Sequence, residues 1–177
     1  GETTKTLDFT YDNVGIPYSL IYNNGTTTTT YYYITNLQGD VMYLADASGN
    51  EVAAYDYDPY GKIISATGAM AEINPLRYRG YYYDSETGFY YLQSRYYDPA
   101  VKRFINADSA TATNVFDAIA YNMFAYCGNN PVVRTDASGN SWFSSLITAV
   151  AVVVVATVVA ATVIASAGLV ACAAVGV

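Results

Sequence analysis

Residues 77–108, RYRGYYYDSETGFYYLQSRYYDPAVKRFINAD, decide the fold of this 177-residue chain. Ten of these 32 residues are aromatic, and short aromatic runs alternate with residues that favour turns. The sequence DSETG at 84–88 offers an Asp that caps its own backbone and a Gly suited to positive φ. Residues 79–83 and 89–95 are therefore predicted to pair as a hairpin. Pro99 predicts a second turn, after which residues 103–105 should form a third strand.

A four-residue pattern, with Asp or Asn first and Gly fourth, recurs along the chain. The first residue suits a side-chain-capped type I turn, and the Gly suits the left-handed position that closes a bulged hairpin. Successive starts in the first half lie 10 and 12 residues apart, which matches one strand and one turn of a meander. The five tetrads begin at Asp12, Asn36, Asp46, Asp58 and Asp136.

The longer interval between the first two tetrads needs one more turn. Asn23-Asn24-Gly25 supplies it, so residues 18–22 and 26–34 are predicted to pair, with the run of five Thr as an exposed part of the strand. Residues 67–72 are predicted to form a loop. The fold class is therefore mainly β: an antiparallel strip of hairpins, whose free edges need neighbouring repeats or another copy of the chain.

The composition excludes several classes of function. Charged residues make up 13% of the chain and the net charge is −7, so no basic face is available for nucleic-acid phosphates. The absence of His removes the usual general base and zinc ligand, and we expect no metal and no cofactor. Residues 56–61 resemble the start of a calcium loop, but the twelfth position is Thr67 rather than an acid. Cys127 and Cys172 are predicted to be free thiols.

Two helical segments are predicted in the C-terminal half. Thr113 or Asn114 can cap a short helix near residues 114–127, which Gly128 ends. Residues 142–177 carry no charge and are twice as long as a minimal membrane span, so they predict a long apolar helix or helical hairpin. This segment either spans a membrane or is enclosed in the protein. Trp142 and Phe143 stand where an interfacial anchor would.

The stretch 77–108, followed by NMFAYCGNNPVVRTDASG at 122–139, closely resembles the core signature of the Rhs/YD-repeat family over residues 31–139. The resemblance implies the end of a secreted or cell-surface β-shell that lies next to a variable effector. It divides the chain into YD-type hairpins at 1–75, the core signature at 76–140 and the apolar segment at 141–177. The implied partners are an effector beyond Val177, further YD repeats before Gly1, a membrane and a cognate immunity protein.

Many Rhs cores are similar to an aspartyl self-protease, in which one carboxylic acid and one carboxylate share a proton and activate water. The resemblance makes Asp108 the first catalytic residue. Asp117 is a weaker candidate for the second, and that position could equally be Ala120 or Asn122. The cleavage segment of the family reads Asp-Pro-x-Gly-Leu, whereas residues 136–140 here read DASGN. The candidate bond follows Asn140, with Asp136 and Gly139 in the recognition segment. The alternative is that each Asp only caps a turn.

Three functions remain open at this point. The first is a shell end that encloses or delivers a C-terminal effector and is not an enzyme. The second is self-cleavage near Asn140, and the third is a surface adhesin anchored by residues 142–177. The basic residues of the core are expected to pair with acids across strands or to stack on Tyr rings. The arginines are Arg77, Arg79, Arg95 and Arg103; the acids are Asp84, Glu86, Asp98 and Asp108.

Overall fold

Two antiparallel sheets form the described part of the chain, residues 4–108 and 122–140 of a computed structural model. The strands are β1 Thr6–Tyr11, β2 Pro17–Asn23, β3 Thr28–Thr35, β4 Val41–Ala45, β5 Glu51–Tyr57, β6 Ile63–Thr67, β7 Tyr82–Asp84, β8 Phe89–Tyr91, β9 Tyr96–Asp98 and β10 Arg103–Phe104. Short 3₁₀ helices lie at Tyr78–Gly80 and Tyr126–Asn129. The first sheet has the order β1 to β6 and the second the order β10, β9, β8, β7. Each strand pairs with its sequence neighbour, which confirms a mainly β fold built from hairpins.

The predicted Asp/Gly turns connect the strands of the first sheet. Between β5 and β6, the Gly61 N–H donates to the Asp58 carbonyl over 2.9 Å, and Gly61 has a φ of 85°. The Asp58 carboxylate accepts the N–H groups of Tyr60 and Lys62 at 2.8 and 2.9 Å. The strand register then shifts by one residue, as a bulged hairpin requires. The same arrangement recurs after Asp12, Asn36 and Asp46.

The second sheet differs from the sequence prediction in two places. The predicted strand at 89–95 ends at Tyr91, because the Leu92 N–H donates to the Arg95 carbonyl over 2.9 Å and closes a tight turn into β9. Gln93 at the centre of that turn has a φ of 64°. The predicted strand at 79–83 begins only at Tyr82, because Arg79 takes a φ of 56° within a 3₁₀ helix.

Tyrosines link the two sheets through one turn. The hydroxyls of Tyr78, Tyr90 and Tyr97 donate to the carbonyls of residues 59, 61 and 60, at 3.0, 2.9 and 2.7 Å. All three side chains are at most 2% exposed. A buried Tyr contributes a large apolar ring but needs a partner for its hydroxyl, and here the turn carbonyls provide it. These three tyrosines belong to a second hydrophobic cluster, which we call the tyrosine core and which therefore holds the β5–β6 turn of the first sheet in place. Its buried members are Tyr78, Tyr81, Tyr90, Leu92, Tyr97, Phe104, Tyr126 and Cys127.

The helix predicted near residues 114–127 is wrong for residues 122–127, whereas residues 109–121 lie outside the described part. Ala125 is extended, with φ −69° and ψ 123°, and Cys127 has a φ of 51°. The backbone pairs with the second sheet instead, because the Phe104 N–H donates to the Phe124 carbonyl over 3.0 Å. Residues 4–108 and 122–140 contain no helix long and apolar enough to span a bilayer. The apolar helix predicted at 142–177, together with Cys172, lies outside the described residues.

Candidate functional site around Arg95

Residues 122–140, which we call the closing segment, run back across both sheets. The segment begins beside β10, where the Asp108 N–H donates to the Met123 carbonyl over 2.9 Å. The backbone of Arg103 also forms an antiparallel β-bridge with that of Ala125. Tyr126 then enters the tyrosine core and is fully buried, with its ring stacked 4.1 Å from that of Tyr97. The closing segment therefore completes the tyrosine core.

Side chains from two turns and from the first 3₁₀ helix and its C-cap hold the closing segment by its main-chain carbonyls. The Tyr60 hydroxyl donates to the Asn129 carbonyl over 2.9 Å, and the Gln38 amide donates to the Val132 carbonyl over 2.7 Å. Arg79 donates to the carbonyl of residue 131 over 2.5 Å, and the Tyr81 hydroxyl donates to that of residue 136 over 2.7 Å. These contacts do not depend on the side chains of residues 129, 131 and 132, so they fix the path of the backbone.

Arg95 is the centre of the site. Its Nη2 lies 3.0 Å from Asp108 Oδ2 and 3.6 Å from Asp136 Oδ2. Its Nη1 donates to the Met123 carbonyl over 2.9 Å, and its Nε donates to the carbonyl of Gly139. The guanidinium also stacks 3.6 Å from the centre of the Phe104 ring. One side chain therefore joins the two ends of the closing segment to both carboxylates.

Burial shapes the electrostatics of this site. Asp136 is 2% exposed, and desolvation raises the pKa of its carboxyl above the usual value. The positive charge of Arg95 and the N–H groups of Gly139 and Ser138 oppose that rise, while Asp108 adds to it. Burial likewise lowers the pKa of Arg95, and the charges of Asp108 and Asp136 oppose that change. The positive charge of one guanidinium thus partly offsets the negative charges of two carboxylates in a site with little access to water.

The last described residues fit tightly against the β8–β9 turn. Gly139 has a φ of 72°, and a Cβ added to it would lie 2.7 Å from the Leu92 carbonyl oxygen and 2.8 Å from Ser94 Oγ. The Ser94 hydroxyl donates to the Ser138 carbonyl over 2.7 Å. Only Gly fits this position, because a side chain would clash with backbone and strain φ as well. Gly139 is therefore held at a fixed point beside β8 and β9.

The structure brings together three of the residues singled out from sequence. Asp108 from the core and Asp136 and Gly139 from the cleavage segment all contact Arg95. Asn140 follows directly and is exposed, whereas Asp117 lies outside the described residues. Arg95 pairs with Asp108, which is one of the four acids expected to pair with the core arginines. Arg77 follows the stacking alternative, with its guanidinium carbon 4.3 Å from the Tyr83 ring centre.

Sequence reasoning missed the side chains that hold the backbone of the closing segment. Tyr81 and Ser94 donate to carbonyls 44 or more positions away in sequence. Tyr81 was one aromatic among many in a run, and Ser94 lay inside a predicted strand. The interruption LQSR between two Tyr pairs was the available signal for a turn at 92–95. Within residues 4–108 and 122–140, no cluster of three or more acidic or Cys side chains is placed to hold a metal ion.

The arrangement assigns different tasks to the two carboxylates. A protease dyad needs two carboxyl groups that share one proton, which requires them to face each other. Asp108 and Asp136 both contact Nη2 of Arg95, at 3.0 and 3.6 Å. Asp136 also accepts the Gly139 N–H over 2.8 Å and so shapes the DASG turn. Its geometry is that of a turn-forming anchor.

Hairpin strands joined by Asp/Gly turns, and a tyrosine core closed by a returning segment, define a YD-repeat shell protein. The profile of the Teneurin YD-shell family matches residues 2–132, and the chain belongs to that family. The resemblance to Rhs/YD proteins is thereby confirmed.

Two relatives and one solved structure illustrate what this chain is similar to. The tRNA nuclease WapA of Bacillus subtilis (strain 168) is 39% identical over 116 residues, which is 64% of this chain and 5% of WapA. The double-stranded DNA deaminase toxin A of Burkholderia cenocepacia (strain H111) is 35% identical over 77 residues, 42% of this chain and 5% of that protein. The crystal structure of TcdB2-TccC3-Cdc42 matches with a TM-score of 0.65 and 23% identity, over 79% of this chain and 7% of that one. The chain thus spans a small fraction of each of these three proteins.

Proposed function

We propose that this chain is the closing end of a YD shell that encloses or presents a C-terminal effector and takes no part in the effector's chemistry. The observation that carries the proposal is the packing of the closing segment. Its Tyr126 stacks on Tyr97 in the tyrosine core, and the carbonyl of its Gly139 accepts a hydrogen bond from Arg95. A chain fixed at that point passes on from the wall at one defined place. Such an exit suits a junction between a structural wall and a variable segment.

The relatives support this separation of roles. Two proteins named for different chemistry, a tRNA nuclease and a DNA deaminase, share the same unit over 5% of their length. A segment common to both is not specific to either chemistry, which supports a shared structural role. Residues 4–108 and 122–140 are consistent with this role, because many of their buried polar side chains hold backbone carbonyls.

The finer parts of the proposal follow from the resemblance to Rhs proteins. The protein acts outside the producing cell or at its surface, with further YD repeats before Gly1 and an effector after Val177. A cognate immunity protein protects the producer. The uncharged segment 142–177 assists passage of the effector through a membrane.

Protease protection tests the proposal in the gene product that contains this chain. An epitope placed after Val177 is expected to survive proteinase K while the shell is folded. Arg95→Met removes the contacts to Met123, Gly139 and both carboxylates, so the epitope should become accessible. Arg103→Met, at an exposed arginine of β10, is the matched control and should leave protection unchanged. A wild-type epitope digested as fast as an unstructured peptide rejects the proposal.

Self-cleavage at Asn140 is a second candidate, and one observation favours it. Asp108 and the backbone carbonyl of Gly139 both contact Arg95. The candidate bond follows Asn140, the residue after Gly139, so it lies close in sequence to a residue that shares Arg95 with Asp108. Intact-mass measurement of the same gene product should then show a fragment ending near Asn140. Asp108→Asn and Asp117→Asn should abolish it, whereas Asp8→Asn, at an exposed carboxylate of β1, should not. An intact wild-type chain rules cleavage out.

A further inference from the structure

The outer face of the second sheet carries a row of exposed aromatic side chains. Tyr82, Tyr91 and Tyr96 are direct cross-strand neighbours on β7, β8 and β9. They are 49%, 42% and 44% exposed. The residues on the opposite face of these strands, Tyr90 and Tyr97, are fully buried. We call Tyr82, Tyr91 and Tyr96 the outer tyrosine row.

The outer tyrosine row is a continuous surface. The rings of Tyr91 and Tyr96 lie 5.1 Å apart, centre to centre. Ile105, whose N–H donates to the Tyr96 carbonyl over 2.8 Å, extends the row and is 46% exposed. Exposed aromatic side chains that touch one another mark an interaction site more often than isolated ones do. This surface is therefore suited to an aromatic or aliphatic partner without charge.

The end of the closing segment lies at the turn that joins two strands of this row. Gly139 is packed against Leu92 and Ser94, in the turn that joins Tyr91 on β8 to Tyr96 on β9. Trp142 follows Gly139 by three residues, a distance of at most about 11 Å along an extended chain. The position is fixed by the contact of Arg95 with Gly139, so the next residues start within reach of the row.

We propose that the outer tyrosine row is the docking site for Trp142 and Phe143 of the same chain. The occupant matches the surface, because these two residues are aromatic and open a segment of 36 residues without charge. Pairs of aromatic rings attract beyond the area they bury, in tilted or edge-to-face geometries. The tether at Gly139 gives the two residues a high effective concentration at the row. Docking would hold the beginning of segment 142–177 against the exposed face of the second sheet.

Trp142 is the single Trp of the chain, so its fluorescence reports on this contact without background. In the wild-type gene product, or in a version with other Trp replaced by Phe, Trp142 emission should be blue-shifted and shielded from acrylamide. Tyr91→Ser with Tyr96→Ser should shift the emission to the red and increase quenching. The docking equilibrium should change by about twofold to tenfold for each ring removed, the range for one aromatic pair.

A matched control comes from the first sheet. Tyr18 and Tyr32 form another exposed ring pair, 6.0 Å apart and 60% and 38% exposed. Tyr18→Ser with Tyr32→Ser should leave Trp142 unchanged, and far-UV circular dichroism should show that both double variants are folded. Three results overturn the proposal: a wild-type Trp142 that is fully quenched, equal quenching in the row variant, or shielding that disappears on dilution. The last would mean that a second copy covers the row.

Discussion

At the scale of single residues, the site depends on how one arginine is shared. Arg95 contacts Asp108, Asp136 and two carbonyls, while its guanidinium lies over Phe104. A Lys at this position would carry the charge but lacks the planar fork that reaches several acceptors at once. Arg95 therefore acts mainly by geometry, as a fastener between the β8–β9 turn and the closing segment.

Asp136 makes stability depend on pH in a defined direction. Burial raises the pKa of this carboxyl in the folded state, so the folded protein binds the proton more readily than the unfolded chain does. Its contribution to stability is therefore greatest below about pH 4 and is lost as the pH rises through the folded pKa. Urea unfolding of wild type and Asp136→Asn should show that the stability of wild type relative to the variant increases as the pH falls from neutral.

Asp46 provides a control of opposite sign. The side-chain hydrogen bond from Asn50 lowers the pKa of this exposed carboxyl, so its contribution is present above about pH 4 and disappears on further acidification. Wild type should therefore lose stability relative to Asp46→Asn as the pH falls through that region. Slopes of the same sign for the two variants would contradict the assigned causes.

The sequence predicted these residues unequally. The role of Asp46 as a turn cap follows from local chemistry, because its partners lie two to four positions away. The partners of Arg95 lie 13 to 44 positions away, and which acids it meets depends on the arrangement of both sheets. The Asp108 contact was among several pairings considered, whereas the Asp136 contact was not foreseen.

At the scale of elements, glycine has two roles in the Asp/Gly turns: it allows a positive φ, and at one turn it also leaves room for a neighbouring ring. Gly49 has a φ of 84° with open space around it, so it is needed only for its backbone conformation. Gly61 has a φ of 85°, and an added Cβ would lie 2.4 Å from the ring of Tyr78. The β5–β6 turn, which contains Gly61, is therefore also a packing surface for the tyrosine core.

Alanine substitutions should distinguish the two turns. Gly49→Ala is expected to lower the free energy of unfolding by about 1–2 kcal/mol through backbone strain. Gly61→Ala should cost a further 1–3 kcal/mol, roughly, because the methyl group forces Tyr78 out of place. Urea denaturation midpoints with equal slopes would provide the measurement. Equal losses at the two sites would show that the turn does not support the core.

The elements also show where reading the sequence fails. Strands between clear Asp/Gly turns were predicted with their partners, because each turn fixes a local register. The helix expected near 114–127 fails for residues 122–127, which take extended and 3₁₀ conformations. Tyr126 and Cys127 enter the tyrosine core, whereas Met123 and Phe124 stay exposed. The backbone hydrogen bond from Phe104 to Phe124 is a tertiary contact, which the cap residues that predicted the helix could not reveal.

At the scale of the whole molecule, buried tyrosines unite the two sheets. Tyr57, from the first sheet, packs both on the buried residues of the first sheet, such as Leu20 and Leu44, and on the tyrosine core. Its ring lies 5.9 Å from that of Tyr78. Several of these rings are fully buried with their hydroxyls on backbone carbonyls. The alternation of aromatic runs with turns therefore predicted the fold class but not the depth of the core.

The closing segment explains why the candidate site was only partly visible in the sequence. Most donors that hold it recognise carbonyls, so many side chains could stand at residues 129–132 without changing its path. Only the turn residues Asp136 and Gly139 carry a pattern that can be read from sequence. The boundary at residue 140 came from the resemblance to Rhs/YD proteins, and it remains a prediction.

The central claim is that the chain is one stretch of a longer wall, closed by residues 122–140, from which the effector side of the protein departs at Gly139. A cryo-EM reconstruction of the gene product that contains this chain tests it most directly. We predict that β1 pairs with a preceding YD strand, so that the sheet continues as a wall, and that density leaves the wall beside Arg95. A β1 edge open to solvent, with residues 122–140 detached from the tyrosine core, would contradict the account.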